Sequence, residues 1–214
     1  FIIDSAEKLN NESSNAFLKH LEEPPKTSIF LFLVNDLSAI YPTIISRAQK
    51  ISLSETSEED MNSYLTKHYE LDEKTVKKII CFSQGKIGLA KNLSMTPTMI
   101  DDYYESYDRF YEFCESGTSE RMLTAQKFSS RFRTDRNVIY RELNLWIDFC
   151  NIILKNNLDK GNDSIFEKRL DDIFEVEEIN NIVLELLRTL SNLKNNANSR
   201  LVFDVMSLNI PIKG

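Results

Sequence analysis

Glycine, proline, cysteine and histidine are all scarce in this chain of 214 residues, with counts of 5, 5, 3 and 2. So little glycine and proline argues against long disordered linkers. The three cysteines are far apart and form no Cys-x-x-Cys pair. This spacing argues against a disulfide framework or a zinc site and predicts reduced thiols in an intracellular protein. No apolar run approaches the roughly 20 residues that a membrane-spanning helix needs.

Positive charge is also in short supply, because 26 Lys and Arg face 33 Asp and Glu, for a net charge of −7. Nonspecific affinity for DNA comes from cationic side chains that displace counterions, so we do not expect this chain to hold a phosphate backbone by itself. A hydrophobic fraction of 42% and a charged fraction of 28% indicate an ordinary globular protein with a sizeable core.

The first 50 residues contain the most specific pattern. An apolar run at 1–3 ends at Asp4, a helical pattern follows at 11–21, and a second apolar run occupies 29–34. The sequence Leu-Glu-Glu-Pro-Pro at 21–25 ends the helical pattern, because proline cannot continue a helix. Strand, helix and strand, with both strands apolar throughout, predict a buried parallel sheet covered by helices.

These motifs, together with Asn-Ala-Phe-Leu-Lys at 15–19 and Ile-Ser-Arg at 45–47, resemble the AAA+ clamp-loader family. Within that family the chain is most similar to subunits of the delta-prime type from bacterial DNA polymerase III. The resemblance is sharp over residues 1–50, diffuse to about residue 95, and visible again at 196–201. The chain lacks an initiating Met and starts inside a predicted strand, so we expect a fragment whose N-terminal part is absent.

The resemblance assigns nucleotide-site positions to two residues. Asp4 would be the Walker B aspartate that holds magnesium in an active relative, and Asn35 would be the sensor 1 residue. The alternative for Asn35 is a turn residue at the end of a strand. Ser5 stands where an active ATPase has the glutamate that orients the attacking water, and no phosphate-binding loop motif occurs in the chain. We therefore expect a subunit that is no enzyme by itself and holds no cofactor, with ATP and magnesium bound by neighbouring subunits.

The resemblance assigns a catalytic role to Arg47, with Ser46. In clamp loaders a Ser-Arg-Cys element places its arginine at the subunit boundary, as a finger that reaches the ATP site of the neighbour in trans. Such fingers contribute about 10³–10⁵ in rate. The chain has Ala48 in place of the cysteine, which exchanges one small apolar side chain for another. The alternative is an arginine that lies on the surface or in a salt bridge.

The predicted fold class is mainly α, with three domains. Residues 1–52 would be the C-terminal part of an AAA+ α/β domain, residues 53–95 a three-helix lid, and residues 99–214 an all-α collar bundle that oligomerises. Thr56 and Glu59 predict a capping box for the first lid helix. The sensor 2 arginine of active lids is absent after Gly85, where Lys86 or Lys91 is the available cation.

Five helical patterns predict the bundle, and the first carries an aromatic stripe flanked by acidic residues, which indicates a packed face rather than a base-stacking surface. The stripe consists of Tyr103, Tyr107, Phe110 and Phe113. A basic cluster either contacts a partner or is a solvated face, and the solvated face is favoured. The cluster consists of Arg131, Arg133, Arg136 and Arg141.

The function that follows from the resemblance is a non-hydrolysing stator subunit of the replicative clamp loader. Its partners would be gamma/tau and delta subunits in a cytoplasmic hetero-pentamer, with the sliding clamp and primer-template DNA engaged through the whole complex and no membrane. Two alternatives remain: the C-terminal half of an ATP-hydrolysing gamma/tau-like subunit, and a purely structural helical scaffold. Ser5 and the absent sensor 2 arginine argue against the ATPase.

Overall fold

The computed structural model describes residues 1–158, 165–167 and 169–212. The chain is mainly α-helical, as predicted. It divides into two compact units, Phe1–Ser54 and Glu55–Gly214. No helix in the described ranges is both long enough and apolar enough to cross a membrane.

The first unit is a small β-α-β arrangement. Its elements are β1 (Ile2–Ile3), α1 (Asn11–Glu22), β2 (Leu31–Phe32) and α2 (Pro42–Ile45). The strands are parallel, with Ile2 opposite Leu31 and Ile3 opposite Phe32. Parallel strands need a crossover connection, and α1 provides it. The Asn10 side chain begins α1 by accepting a hydrogen bond of 2.8 Å from the Ser13 amide.

The two strands are parallel, as predicted, but within this chain only one face of the sheet is covered. Successive side chains of a strand point to opposite faces of the sheet. One face, with Ile3 and Phe32, packs toward α1, where Phe17 meets Phe32 edge-on at 5.6 Å between ring centroids. The other face is open, because Ile2 is 70% and Leu31 49% exposed. An apolar run therefore identified both strands, but it could not show whether a second layer covers them.

The second unit consists of eight helices in the described part of the chain. They are α3 (Glu58–His68), α4 (Glu73–Ser83), α5 (Ile87–Met95), α6 (Thr98–Glu115), α7 (Thr118–Thr134), α8 (Arg136–Leu158), α9 (Val176–Lys194) and α10 (Ser199–Asn209). The predicted division into lid and bundle falls at Pro97, between α5 and α6. One continuous core nevertheless runs from α3 to α10. The boundary between lid and bundle stays a prediction.

The aromatic stripe of α6 is buried, as predicted. Tyr107 stacks on Phe166 at 3.7 Å, and Phe110 stacks on Trp146 at 4.8 Å. Phe82 of α4 packs against Tyr103 at 4.9 Å, which extends the same core into the three N-terminal helices of the unit. The stripe is thus the packing face of α6 rather than a surface for stacking bases.

The cap of α3 corrects one detail of the sequence analysis. Ser57, not Thr56, is the N-cap residue, and its hydroxyl accepts a hydrogen bond of 3.1 Å from the Asp60 amide. The Thr56 amide instead donates to the carbonyl of Gly85 at 2.9 Å. Gly85 has a φ of +79°, and a Cβ there would lie 2.6 Å from the Cβ of Glu55. The chain therefore turns tightly after α4, with its backbone against the segment that precedes α3.

Candidate functional site

Arg47 follows the short helix α2, and its position is set by that helix. Pro42 begins α2, because a proline in the first turn sacrifices no backbone hydrogen bond. The Arg47 amide donates to the carbonyl of Ile44 at 3.1 Å. The guanidinium turns back over the same helix, where Nη1 donates to the Thr43 carbonyl at 3.1 Å and to Ser46 Oγ at 3.2 Å. The structure therefore brings Ser46 and Arg47 together, as the two site residues predicted to act as one element.

The acid that pairs with Arg47 is Glu22, the last residue of α1. Its Oε1 accepts hydrogen bonds from Arg47 Nε at 3.0 Å and from Nη2 at 2.6 Å. The Arg47 side chain is 36% exposed and that of Glu22 54% exposed. This ion pair joins the Leu-Glu-Glu-Pro-Pro motif to the Ser-Arg motif. Sequence reasoning identified both motifs but missed the contact between them.

Packing of α1 against α2 explains why these two side chains meet. Leu18 and Leu21 of α1 pack against the small core that includes Ile44 of α2. Glu22 ends α1 because Pro24 and Pro25 follow it. The two helices thus end at the same place, which puts a carboxylate beside the guanidinium.

Asp4 and Asn35, the predicted Walker B and sensor 1 positions, each follow a strand. Ser5 has a φ of 53°, in the left-handed region, and its hydroxyl donates to Asp4 Oδ1 at 3.5 Å. The Asn35 side chain donates from Nδ2 to Glu7 Oε1 at 3.4 Å. The other oxygen of Glu7 is buried and has no hydrogen-bond partner in the structure. In the described chain, no hydrogen bond joins Asp4 or Asn35 to Arg47.

Among the predicted nucleotide-site positions, Asp4 and Asn35, only Asp4 offers a carboxylate to a magnesium ion. Magnesium is commonly held by one or two carboxylates together with substrate phosphates. Asp4 offers one carboxylate, but Ser5 offers only a hydroxyl, and the Asn35 amide already contacts Glu7. Across the described residues, no cluster of three or more His, Cys, Asp or Glu side chains could hold a metal ion.

The lysine and cysteine side chains of the second unit are weak candidates for a reactive site. Lys86 Nζ lies 4.0 Å from Asp148 Oδ1, so this cation contacts α8. Burial raises the pKa of the Cys81 thiol to about 12, with a further contribution from Glu58. Burial also raises the pKa of Cys114 to about 12. Thiols with such pKa values stay protonated at neutral pH and are poor nucleophiles.

A second surface of interest lies on α10. Leu201, Val205 and Leu208 occupy its outward side and are 63%, 49% and 57% exposed. We call these three residues the α10 ridge. Their spacing of four and three residues places them in one line along the helix, as in the seam between packed helices. The outward face of a helix at the edge of a bundle is normally polar, so the α10 ridge is a candidate contact surface.

The arginines of the basic cluster make separate local contacts. The Arg136 guanidinium lies over the Phe132 ring at 5.3 Å and donates to Asn196 Oδ1 at 3.4 Å. Arg141 lies 4.0 Å from Asp102. These contacts are consistent with the solvated face that the sequence favoured.

Comparison with known proteins gives matches to part of the chain. Residues 1–57 match the family described as DNA polymerase III, delta subunit. The gamma subunit of DNA polymerase III from Buchnera aphidicola subsp. Acyrthosiphon pisum is 37% identical over 98 residues, which cover 44% of this chain and 27% of the relative. The same subunit from subsp. Schizaphis graminum is 36% identical over 99 residues, with the same coverage of 44% and 27%.

The tau/gamma subunit from Haemophilus influenzae is 30% identical over 105 residues, which cover 47% of this chain and 15% of the relative. The chain thus spans about a quarter or less of the length of these curated relatives. The family model has a delta name and the relatives have gamma or tau/gamma names, so the matches do not select one subunit type. Together they show that part of this chain is similar to subunits of DNA polymerase III.

Proposed function

We propose that this chain is part of a non-hydrolysing clamp-loader subunit of the delta-prime type. It assembles with gamma/tau and delta subunits through the bundle α6–α10 and donates Arg47 to the ATP site of a neighbour. The observation that carries the proposal is the position of Arg47, which follows α2 directly after Ser46 with its guanidinium accessible to solvent.

The chemistry favours arginine for this task. A guanidinium is always charged and presents several N–H groups in one plane, so it can bind two oxygens of a phosphoryl group at once. Charge develops on those oxygens as the phosphoryl group is transferred, and a correctly placed arginine stabilises it by about 10³–10⁵ in rate. Arg47 contributes charge and geometry, and the neighbour binds the nucleotide and carries out the hydrolysis.

Ser5 supports the absence of hydrolysis in this chain. A hydroxyl cannot take a proton from water at neutral pH as a carboxylate can. The Ser5 hydroxyl is also directed toward Asp4, to which it donates at 3.5 Å. Glu7, the nearest following acid, contacts Asn35 through one of its oxygens. The residues after β1 therefore lack a carboxylate that orients the attacking water.

The α10 ridge supports assembly through the bundle. Three half-exposed aliphatic side chains provide on the order of a few hundred Å² of apolar surface, less than the roughly 800 Å² per partner of a stable binary interface. A ridge of this size suits a helix of an adjacent subunit in a ring, where further contacts share the binding energy. It is too small to hold two copies of the chain together by itself.

The alternative function is that of a gamma/tau-like ATPase, which the names of the three curated relatives favour. The full-length protein decides between the two when it is assayed alone for ATP hydrolysis. The proposal expects no hydrolysis above background. Turnover that requires Asp4 would support the ATPase instead.

The role of Arg47 is tested in the reconstituted clamp loader that contains the full-length protein. Arg47→Ala should leave the mass of the complex unchanged in light scattering and lower its ATP hydrolysis with clamp and primed DNA. At the site that Arg47 serves, we expect a loss of about 10³-fold or more. Arg109→Ala is the matched control, because Arg109 also pairs with an acid, Glu142, at 2.9 Å, but lies in the second unit.

Arg109→Ala should leave hydrolysis at the level of the unmodified complex. If Arg47→Ala assembles normally and hydrolysis is intact, the finger role is wrong, and the structural scaffold becomes the better description.

A further inference from the structure

The Arg47 guanidinium is almost fully occupied by contacts within its own unit. It has five N–H groups. Nε and Nη2 each donate one to Glu22 Oε1, at 3.0 and 2.6 Å. Nη1 donates to the Thr43 carbonyl at 3.1 Å and to Ser46 Oγ at 3.2 Å. One N–H, on Nη2, remains free of these contacts.

This arrangement is incompatible with a two-oxygen contact to phosphate. Such a contact uses a pair of parallel N–H groups on one edge of the guanidinium. Glu22 takes the edge formed by Nε and Nη2, and the Nη1 contacts take part of the other edge. A phosphoryl group could gain only one hydrogen bond from Arg47 unless a contact breaks. It would also approach the negative charge of Glu22.

We propose that Glu22 withholds Arg47 by occupying the edge of the guanidinium that a phosphate would bind. Glu22 thus competes with the terminal phosphate of the neighbour's ATP and sets the fraction of subunits in which the finger is available. This inference rests on the proposed trans role of Arg47 and adds a regulating residue to it.

The strength of the pair suits reversible control. Both side chains are substantially exposed, at 36% and 54%, so water and salt screen their attraction. Exposed ion pairs of this kind shift an equilibrium by about two- to fivefold. Nucleotide phosphates carry more charge than one carboxylate and can displace it. Glu22 therefore lowers the availability of Arg47 without abolishing it.

The Leu-Glu-Glu-Pro-Pro motif provides a matched control. Glu23, the next residue, is also exposed, and its amide donates to the Lys19 carbonyl at 3.1 Å. Arg47 donates to Glu22 and not to Glu23 in the described structure. Glu22→Gln and Glu23→Gln thus remove the same charge from adjacent positions, but only Glu22→Gln weakens the ion pair with Arg47.

The experiment combines Glu22→Gln and Arg47→Ala, singly and together, in the reconstituted clamp loader with the full-length protein. The readout is kcat and KM for ATP at low and moderate salt. If only a fraction of the fingers is available, kcat falls in proportion to that fraction, because the finger acts on the transition state. Glu22→Gln should therefore raise kcat about two- to fivefold at low salt.

The expected difference shrinks as salt is raised, because salt screens the pair. Glu23→Gln should match the unmodified complex, and Glu22→Gln should have no further effect when Arg47 is already alanine. Thermal unfolding of each variant checks that the subunit is folded.

Four results would overturn the inference. A fall in kcat with Glu22→Gln would mean that Glu22 positions the finger rather than withholds it. An effect that persists in the Arg47→Ala background would mean that Glu22 acts through another group. Unchanged kinetics with Glu22→Gln, beside a clear loss with Arg47→Ala, would disprove regulation by Glu22 but leave the proposed function intact. No loss with Arg47→Ala would disprove both.

Discussion

The two units of the chain differ sharply in how much apolar surface they bury. The first unit has a core of three buried hydrophobic residues, Ala6, Ile40 and Ile44. The second has one continuous core that includes residues from all eight of its described helices. A segment of 54 residues is near the lower limit at which a single core stabilises a fold.

The more specific sequence motifs lie in the less well packed unit. The first unit carries Asp4, Asn35 and Arg47, and it also leaves large apolar side chains exposed on one face of its sheet. Those of its two strands and their flanks are Ile2, Ile29, Leu31 and Leu33. The difference teaches that motif content and stability need not coincide. Local opening should concentrate in the first unit, next to the Arg47–Glu22 pair.

Arg121 gives the largest test of the second unit. This guanidinium is fully buried in α7 and binds backbone carbonyls at two helix ends. It donates to Phe113 at 3.0 Å and to Cys114 at 2.6 Å, which end α6, and to Ile210 at 2.6 Å and Pro211 at 2.7 Å, which follow α10. Arg121→Met would leave these carbonyls without their donor, at a cost of about 3 kcal/mol or more.

Urea unfolding of the 214-residue chain measures this loss. Trp146 is the single tryptophan of the chain and lies in the core of the second unit, so its fluorescence reports on that unit. Arg141→Met is the control, because Arg141 is exposed and lies 4.0 Å from an equally exposed Asp102. It should change stability by less than about 0.5 kcal/mol. Equal midpoints for the two variants would contradict the role of Arg121.

Ile44→Ala tests the first unit by itself. Ile44 is one of its three core residues, so a truncation should cost about 2 kcal/mol, at the low end for core aliphatic residues. That loss corresponds to roughly 30-fold faster amide exchange for the groups that its sheet protects. The Ala6, Leu31 and Leu33 amides are the reporters, with hydrogen bonds of 3.0, 2.9 and 2.9 Å to carbonyls in or next to the two strands.

The Trp146 transition should not move in Ile44→Ala, because the two cores share no residue in the described chain. Ile51→Ala changes an exposed isoleucine of the same unit and should leave exchange nearly unchanged. A matching loss in the Trp146 midpoint would show that the two units unfold together.

Local patterns predicted the helices of the second unit well. Apolar residues at helical spacing identified α6 to α10, and Asp72 caps α4, where its side chain accepts from the Thr75 amide at 3.0 Å. These signals are local, because a helix and its cap are formed by residues within a few positions of one another. The open face of the sheet was missed, because an apolar strand has the same sequence pattern whether one of its faces or both are covered.

Contacts between distant residues were beyond the sequence. Glu22 and Arg47 are 25 residues apart, and nothing in either motif shows that two helix ends will meet. Arg121 was also missed, although a signal existed. It is four residues before the buried Ala125 and eight before Ser129, on the buried side of α7. A charged residue in line with a buried stripe predicts a side chain that must find acceptors inside the core.

Gly85 and Gly88 form a smaller test within the second unit. Gly85 has a φ of +79°, and an added Cβ would lie 2.6 Å from Glu55 Cβ. Gly85→Ala should therefore cost about 1–2 kcal/mol. Gly88 lies inside α5, and its added Cβ would meet nothing within 4 Å. Gly88→Ala should stabilise by about 0.5–1 kcal/mol, since alanine favours a helix. Thermal unfolding followed by circular dichroism should show a lower midpoint for Gly85→Ala and a higher one for Gly88→Ala. Midpoints that shift in the same direction would contradict these two expectations.

The smallest expected effect is the pH dependence of the contact between Lys86, which precedes α5, and Asp148 of α8. Burial raises the pKa of Asp148 from its usual 3.8, although Lys86 opposes the shift. The folded state therefore binds this proton more tightly than the unfolded state, and keeping Asp148 ionised at pH 7 costs stability. Asp148→Asn should be more stable than the unmodified chain at pH 7, by less than about 1 kcal/mol. The difference should vanish as pH falls through the raised pKa and below 3.8.

Asp171 provides a control of opposite sign in the same unit. The hydrogen bond from Arg169 lowers the pKa of Asp171 below 3.8. Its contribution to stability is thus present at pH 7 and is lost as pH falls through that lowered pKa. Asp171→Asn should be less stable than the unmodified chain at pH 7 and equal to it in strong acid.

Urea midpoints of Trp146 fluorescence between pH 7 and pH 3 should therefore shift in opposite directions for the two variants. Because both groups belong to the second unit, amide exchange at Ala6, Leu31 and Leu33 should follow the same pH course in all three chains. A change there would show that charge at Asp148 or Asp171 also affects the first unit.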